Sequence, residues 1–358
     1  MSILSASMAG PVVVRLRGNP GDMGYEHGAL LRPMVDAVFD RYMAAMAAST
    51  RVDAARTVEL AQAWMAGLPA HVREEMAGMA AGMGRSVEEV AAFLYADIAR
   101  GGAACSGMVA PGRGGMWVAR NCDWRRGTLM RGVSVVVHEV PGRIPCMGMG
   151  INGDIDVDTG ANAERLWMHV HTMHATDAPG GRRACFSWLF WVREALETCA
   201  SLADVERLLD ATDRDRGVIL FVVDGKTNDA AVYECACTSW ARIDPAADGT
   251  LTATNHCQRL HPTDVERLAR ARATSTTGRL HRVRELMGRG ALERGAPEGM
   301  IRVLADPRVE MGREAPLTTI YAAACCPASG ELWFAGGPGE VDVPAASRAT
   351  WRRVKWPW

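Results

Sequence analysis

Chemistry concentrates in one stretch of this sequence. Cys105 emerges from a run of small residues, Ala103, Ala104, Ser106 and Gly107, and Arg120 and Asp123 follow 15 and 18 residues later within Met116–Trp124. A thiol is a poor nucleophile at neutral pH unless a base or a positive neighbour removes its proton. No cysteine–histidine signature of a papain kind surrounds Cys105. A backbone cut before Cys105 would supply the base differently. The new α-amine, with a pKa near ~7.7–8, lies on the same residue as the thiol and can take its proton. Taken alone, a packed thiol stays open as the reading of Cys105, since free cysteines are among the most buried residues. Cys122 lies between Asn121 and Asp123, where strand alternation points it away from Asp123, so it reads as structural.

Other motifs carry less. Gly148-Met149-Gly150-Ile151-Asn152-Gly153 matches G-x-G-x-x-G, but a dinucleotide site needs a helix to start there. Asp154 to Gly160 is no helix start, so a glycine-rich turn is expected. Gly225-Lys226-Thr227 has the form of a P-loop tail, yet Leu220 stands where the first glycine belongs; a hairpin turn fits better. His169 and His171 share a strand face with His174 nearby, an arrangement open to metal-dependent hydrolysis or to two polar residues on a half-buried strand. No H-E-x-x-H or C-x-x-C pattern adds ligands, so neither metal nor bound cofactor is expected. The arginines of 267–272 and 279–284 read as solvated helix faces.

Composition prunes further. The 358 residues carry 40 Lys+Arg and 41 Asp+Glu, a net charge of −1, without the basic excess of a nucleic-acid binder. Lys226 and Lys355 are the only lysines, so lysine chemistry has two candidates. The ten cysteines are scattered without a C-x-x-C pair, and residues 1–30 lack a signal-peptide pattern. A reduced, cytoplasmic protein is expected rather than a disulfide framework. No apolar window approaches the ~18 residues of a membrane span.

These residues need elements to position them. Val12–Leu16 reads as a strand. Helical spacing of apolar residues marks about 24–48, 53–66 and 70–82, with Met76, Met79 and Met83 as core. Ser86 and Glu89 form a capping-box pattern opening a helix to about Arg100. Beyond residue 100 come β-type runs: Met116–Arg120, Val133–Glu139, Leu166–Thr172, Val218–Val223, Ala230–Glu234, Leu251–Thr254, Thr318–Ala323 and Leu332–Phe334. Helices are predicted at about 187–199, from Ser201 to Ala211, and at 263–273, 277–288 and 297–304, with a glycine-rich loop over Arg289–Pro297. Helices, strands, helices, then strands imply α+β layers.

Several blocks, in order, resemble the N-terminal nucleophile hydrolases, in particular the isopenicillin N acyltransferase (acyl-CoA:penicillin acyltransferase-like) cysteine family. They are Leu16-Arg17-Gly18 with Gly24–Gly28; Cys105-Ser106; Arg120–Trp124; Thr159–Leu166; Thr254-Asn255-His256; Ser275 with Arg279-Leu280; and Gly336-Gly337-Pro338. Arg165 departs from the glycine usual before Leu166, and Ala104 from the Gly, Asp or Asn common before the nucleophile. The resemblance implies one domain over 1–358, a four-layer αββα sandwich of two antiparallel sheets between helical layers. It implies a precursor cut between Ala104 and Cys105, with 1–104 retained as a helical segment in a heterodimer with 105–358. Cys105 is then nucleophile and α-amine base, Arg120 and Asp123 orient it, Asn162 and Asn255 form the oxyanion hole, and Arg279 lies near. Each partner keeps a plainer reading: a left-handed turn for Asn162, a strand-end cap for Asn255, a surface helix for Arg279. The implied reaction passes an acyl group from a linear amide or thioester, acyl-CoA included, to water or an amine. The rivals are a metal-dependent hydrolase using His169, His171 and His174, or an inactive binding protein of the same fold.

Overall fold

A computed structural model describes residues 3–5, 13–96, 98, 104–175, 177–181, 183–260, 276–288, 296–312, 317–336 and 344–358. The predicted helix at 263–273, most of the loop at 289–297, Ser275, Gly337 and Pro338 lie outside the described residues.

The amino-terminal part is helical. Helix α1 (Pro20–Thr50) starts where Asn19 accepts from the Asp22 amide and Pro20 supplies a preset φ. Helix α2 (Ala54–Ala66) is capped by Asp53. After α3 (Ala70–Met83), the reciprocal Ser86–Glu89 box opens α4 (Val87–Tyr95). Helices α1 and α3 touch backbone to backbone. A Cβ on Gly28 would lie 2.1 Å from the Met79 carbonyl oxygen, and one on Gly78 2.0 Å from that of Gly21. The glycines of the opening block thus serve helix packing. Met76, Met79 and Met83 are core.

Among the described residues the strands form two large sheets. The nine-stranded sheet contains β1 (Ile3–Ser5), β2 (Val13–Arg17), β5 (Val133–Glu139), β6 (Cys146–Ile151), β7 (Thr159–Asn162), β8 (Leu166–Thr172), β11 (Val218–Asp224), β12 (Asp229–Cys235) and β13 (Trp240–Ile243), in that order. The six-stranded sheet runs β14 (Leu251–Ala253), β3 (Ala104–Gly112), β4 (Gly115–Arg125), β15 (Leu317–Cys326), β16 (Glu331–Ala335), β17 (Trp351–Val354). The short strands β9 (Ala184–Phe186) and β10 (Thr212–Arg214) pair separately and in parallel.

The two sheets meet face to face, since a Cβ on Gly107 of β3 would lie 2.9 Å from His169, His171 and Phe221 of β8 and β11. Helices α5 (Trp188–Thr198) and α6 (Leu202–Ala211) cover the outside of the larger sheet beside the amino-terminal helices. Helices α7 (Thr276–Gly288), α8 (Glu298–Leu304) and α9 (Ala345–Arg348) cover the smaller one. The expected α+β layering is present, with one local departure: β2 joins β5 in parallel.

The short strands β1, β7, β9, β10, β13 and β17 and the short helix α9 are absent from the sequence reading, and two longer strands differ from it as well. The G-x-G-x-x-G segment is mostly strand β6, not a turn: the Gly148 position faces Val157, and a Cβ there would lie 2.9 Å from that side chain. Strand β3 is absent from the predicted β-type runs, because Ala104–Gly112 alternates no polar residues; seven of its nine are buried. Among the described residues no helix is long and apolar enough to cross a membrane.

Candidate active site

The hairpin of β3 and β4 builds the site. Its turn is glycine-rich, Gly114 and Gly115 taking positive φ, and Gly112 pairs with Gly115. From there the register places Cys105 opposite Cys122, Gly107 opposite Arg120, and Ala104 opposite Asp123. Alternation then sorts the side chains. Cys105, Gly107, Arg120 and Cys122 project between the sheets. Ser106 and Asp123 project toward α7.

Between the sheets, Arg120 is wholly buried. Its Nη2 donates to the Cys105 sulfur at 3.2 Å, and its Nη1 donates to the Asp158 carbonyl at 3.0 Å and to the Thr159 hydroxyl. The Asp158 carboxylate lies 3.7 Å from Arg120 and accepts from the Tyr321 hydroxyl at 2.6 Å. Burial pushes the Cys105 thiol up, but the Cys122 thiol and the Arg120 guanidinium outweigh it and hold the group below the ordinary range. Cys122 goes the other way, pushed well up by burial and by its thiol neighbour. The expectation that Cys122 points away from Asp123 fits this geometry, but that direction brings it to Cys105 rather than into inert core.

On the α7 side, Arg279 is buried and donates to the Cys105 carbonyl, to the Ser106 hydroxyl at 2.9 Å and to Asn255 Oδ1 at 2.8 Å. It lies 3.6 Å from Asp123, so it is no surface residue. Asp123 accepts from the Thr319 hydroxyl at 2.6 Å. Burial raises its carboxyl to about 6, against the pull of Arg279 and Thr319. The Cys105 amide donates to Asn255 Oδ1 at 2.7 Å.

Five of the six residues singled out thus converge: Cys105, Arg120, Asp123, Asn255 and Arg279. Asn162 does not. Its amide nitrogen donates at 2.8 Å to the carbonyls of both Leu196 and Cys199 at the end of α5, and its oxygen accepts from Leu166. An amide with both hydrogens committed to carbonyls is a fastener between sheet and helix, not a free oxyanion donor. Asn255 also differs from its implied role, because its nitrogen donates to Thr172 while its oxygen meets the cysteine. Arg165 adopts the left-handed φ of 62° that the usual glycine would take, with its guanidinium over the Trp356 ring.

The histidines do not converge on a metal. His169 Nδ1 accepts from the Trp167 indole and His171 Nδ1 donates to the Thr254 carbonyl, both rings being buried, while His174 is exposed. Among the described residues the group close enough to hold an ion is His71, Glu194 and Glu197, and Arg143 already bridges its two carboxylates.

A shallow cleft opens beside Cys122. Trp64 and Leu94 of the amino-terminal helices and Trp124, Trp188 and Phe190 wall it, and Cys122 and Asp158 lie in its lining. No motif announces this cleft, whose walls come from distant segments.

Fold and site together describe a cluster of buried polar side chains gathered around Cys105 between the two sheets. Residues 110–337 match the family described as acyl-coenzyme A:6-aminopenicillanic acid acyl-transferase. The chain belongs to that family, within the N-terminal nucleophile hydrolase superfamily. The matched segment begins after Cys105 and includes Arg120, Asp123, Asn255 and Arg279. Similar solved structures include a variant of conjugated bile acid hydrolase from Clostridium perfringens, 11% identical with TM-score 0.49, covering 70% of this chain and 97% of that one. Penicillin V acylase from Agrobacterium tumefaciens is 13% identical with TM-score 0.49, covering 70% and 86%. The Caenorhabditis elegans N-acylethanolamine-hydrolyzing acid amidase ortholog is 15% identical with TM-score 0.46, covering 63% and 93%. A search of curated proteins found no match.

Proposed function

We propose that this protein is a self-processing cysteine amidohydrolase or acyltransferase. The observation that carries the reading is the double hold on one residue: Arg120 donates to the Cys105 sulfur at 3.2 Å while Asn255 accepts from the Cys105 nitrogen at 2.7 Å. A nucleophile that is also the N-terminal amine needs both atoms placed. In the precursor, the Cys105 thiol attacks the Ala104 carbonyl and the peptide nitrogen leaves with a proton. Water then releases residues 1–104 from the thioester. The freed amine stays on Asn255 Oδ1, with Asp123 and Arg279 nearby, and takes the thiol proton in each later turnover.

Catalysis follows in two steps. Cys105 accepts the acyl group of an amide or acyl thioester, such as an acyl-CoA, and the leaving group departs protonated. Water or an amine then removes the acyl group. The apolar cleft beside Cys122 suits the acyl portion. Since Trp64 and Leu94 help to wall it, segment 1–104 has to stay bound after the cut.

Intact mass spectrometry with and without an acyl donor tests the reading. Wild-type protein should give two chains, 1–104 and 105–358, and a donor-dependent adduct on the larger one. Cys105→Ala should remain a single inactive chain. An uncut wild type that is nonetheless active would overturn the assignment.

A further inference from the structure

Cys122 has no part in the chemistry above, yet it is register partner to Cys105 across β3 and β4, and both are buried. Directly opposed residues of an antiparallel pair carry their Cβ atoms about 4.5–5.5 Å apart, which puts two thiols side by side. The Cys122 sulfur lies 3.7 Å from Asp158 Oδ2, so its S–H has two available acceptors: that carboxylate and the neighbouring sulfur. A neutral Cys105 thiol is a weak acceptor, and a thiolate is a strong one. We propose that Cys122 is a positioning residue for Cys105: its S–H turns from Asp158 to the Cys105 sulfur as that sulfur ionises, and with Arg120 it holds the thiolate for attack. Cys122 keeps its own proton throughout, and the proton lost by Cys105 goes to the base.

The surrounding groups agree with this division. Around the pair are Arg120 of β4, Asp158 before β7 and Tyr321 of β15, and the buried rings of His169 and His171 on β8 stand against the Gly107 position two residues along β3. Asp123 and Arg279 act from the other side of β3. Burial holds His169 and His171 neutral and raises Tyr321 well above its ordinary range, leaving Arg120 as the cation beside the sulfurs and Cys122 as a neutral donor. Burial likewise raises Cys122, as a retained proton requires.

The inference rests on Cys105 as nucleophile, but its test reads ionisation and not turnover. The rate of Cys105 alkylation by iodoacetamide is followed against pH by peptide mass spectrometry in wild type, Cys122→Ala, Cys122→Ser and Asp158→Asn. Cys122→Ala should move the midpoint up by about one pH unit, roughly a tenfold slower reaction at neutral pH. Cys122→Ser restores a donor and should return the midpoint at least halfway. Asp158→Asn removes the competing acceptor and its charge, and should move it down. An unchanged midpoint in Cys122→Ala, or equal shifts in the alanine and serine variants, overturns the proposal. Should Cys122→Ala fail to fold, an unmoved midpoint in Asp158→Asn does so. Activity surviving in Cys105→Ala would instead overturn the nucleophile assignment and leave these midpoints readable.

Discussion

At the scale of single residues, the site depends on a fork. Arg120 spans from the Cys105 sulfur to the Asp158 carbonyl and the Thr159 hydroxyl, joining the two sheets at the proposed nucleophile. Lysine keeps the charge but offers a point donor on a flexible stem in place of a planar pair. Arg120→Lys should therefore preserve folding yet slow acyl-enzyme formation on the order of 100-fold, the usual penalty of a misplaced reacting group. Single-turnover measurement of adduct formation checks this, and a near-normal rate would show that charge alone suffices. Much of this site is legible in the sequence: Cys105, Arg120 and Asp123 are close in the chain, and their residue types suggest their work. Asn162 misleads because resemblance carries a residue across without its side-chain direction. That direction is set by the end of α5, which no local motif encodes. Cys122 misleads for a different reason. Its separation from Asp123 follows from one strand alone, while its meaning lies in the strand beside it.

That neighbour belongs to the scale of elements. The turn composition over Pro111–Gly115, flanked by apolar residues on both sides, is a hairpin signal. Folding the chain there in equal steps brings residue 105 to residue 122, so the contact is recoverable once β3 is admitted as a strand. Helices are easier to read, because caps such as Ser86 with Glu89 and the 3.6-residue spacing are local features. Pairings among β2, β5 and β6 are not, since sheet order depends on contacts far apart in sequence. The glycines of α1 and α3 give this scale its prediction. They let two backbones approach until a methyl group at Gly28 would sit 2.1 Å from a carbonyl oxygen and 3.0 Å from the Met79 Cα. Backbone cannot move aside as a side chain can. Gly28→Ala should cost about 1–3 kcal/mol or more by overpacking, despite alanine's better helix propensity. A lowered thermal midpoint checks it, and a rise would mean that propensity outweighs the clash.

For the molecule as a whole, the question is how the amino-terminal helices stay attached and what acid does to that attachment. Arg193 of α5 bonds Glu75 of α3 at 2.8 Å and Glu197 at 2.9 Å, all three buried. His27 of α1 lies in the same interior, and His138 of β5 faces Glu75. Burial, with Arg193 and Arg131 adding repulsion, lowers His27 from 6.5 to about 4. Burial carries His138, His169 and His171 well below 6.5 as well. Between pH 6.5 and 4 the unfolded chain therefore binds protons at these rings that the fold refuses, so stability falls as pH drops. Asp123, raised to about 6, and Glu75, also raised by burial, work in the opposite sense, because the fold holds their protons more tightly than the unfolded chain does. Burial also lowers His71 and His256 and also raises Asp215 and Glu310, so six histidines stand against four carboxyls and leave the first effect in control. His27 alone accounts for about 3 kcal/mol across its full window of 6.5 to 4. Thermal midpoints recorded at pH 7, 6 and 5 should fall steadily, and the slope should flatten in His27→Gln, which removes one refused proton. Midpoints that hold level or climb over that range would mean that the carboxyls dominate and that the amino-terminal helices are not held by neutral histidines.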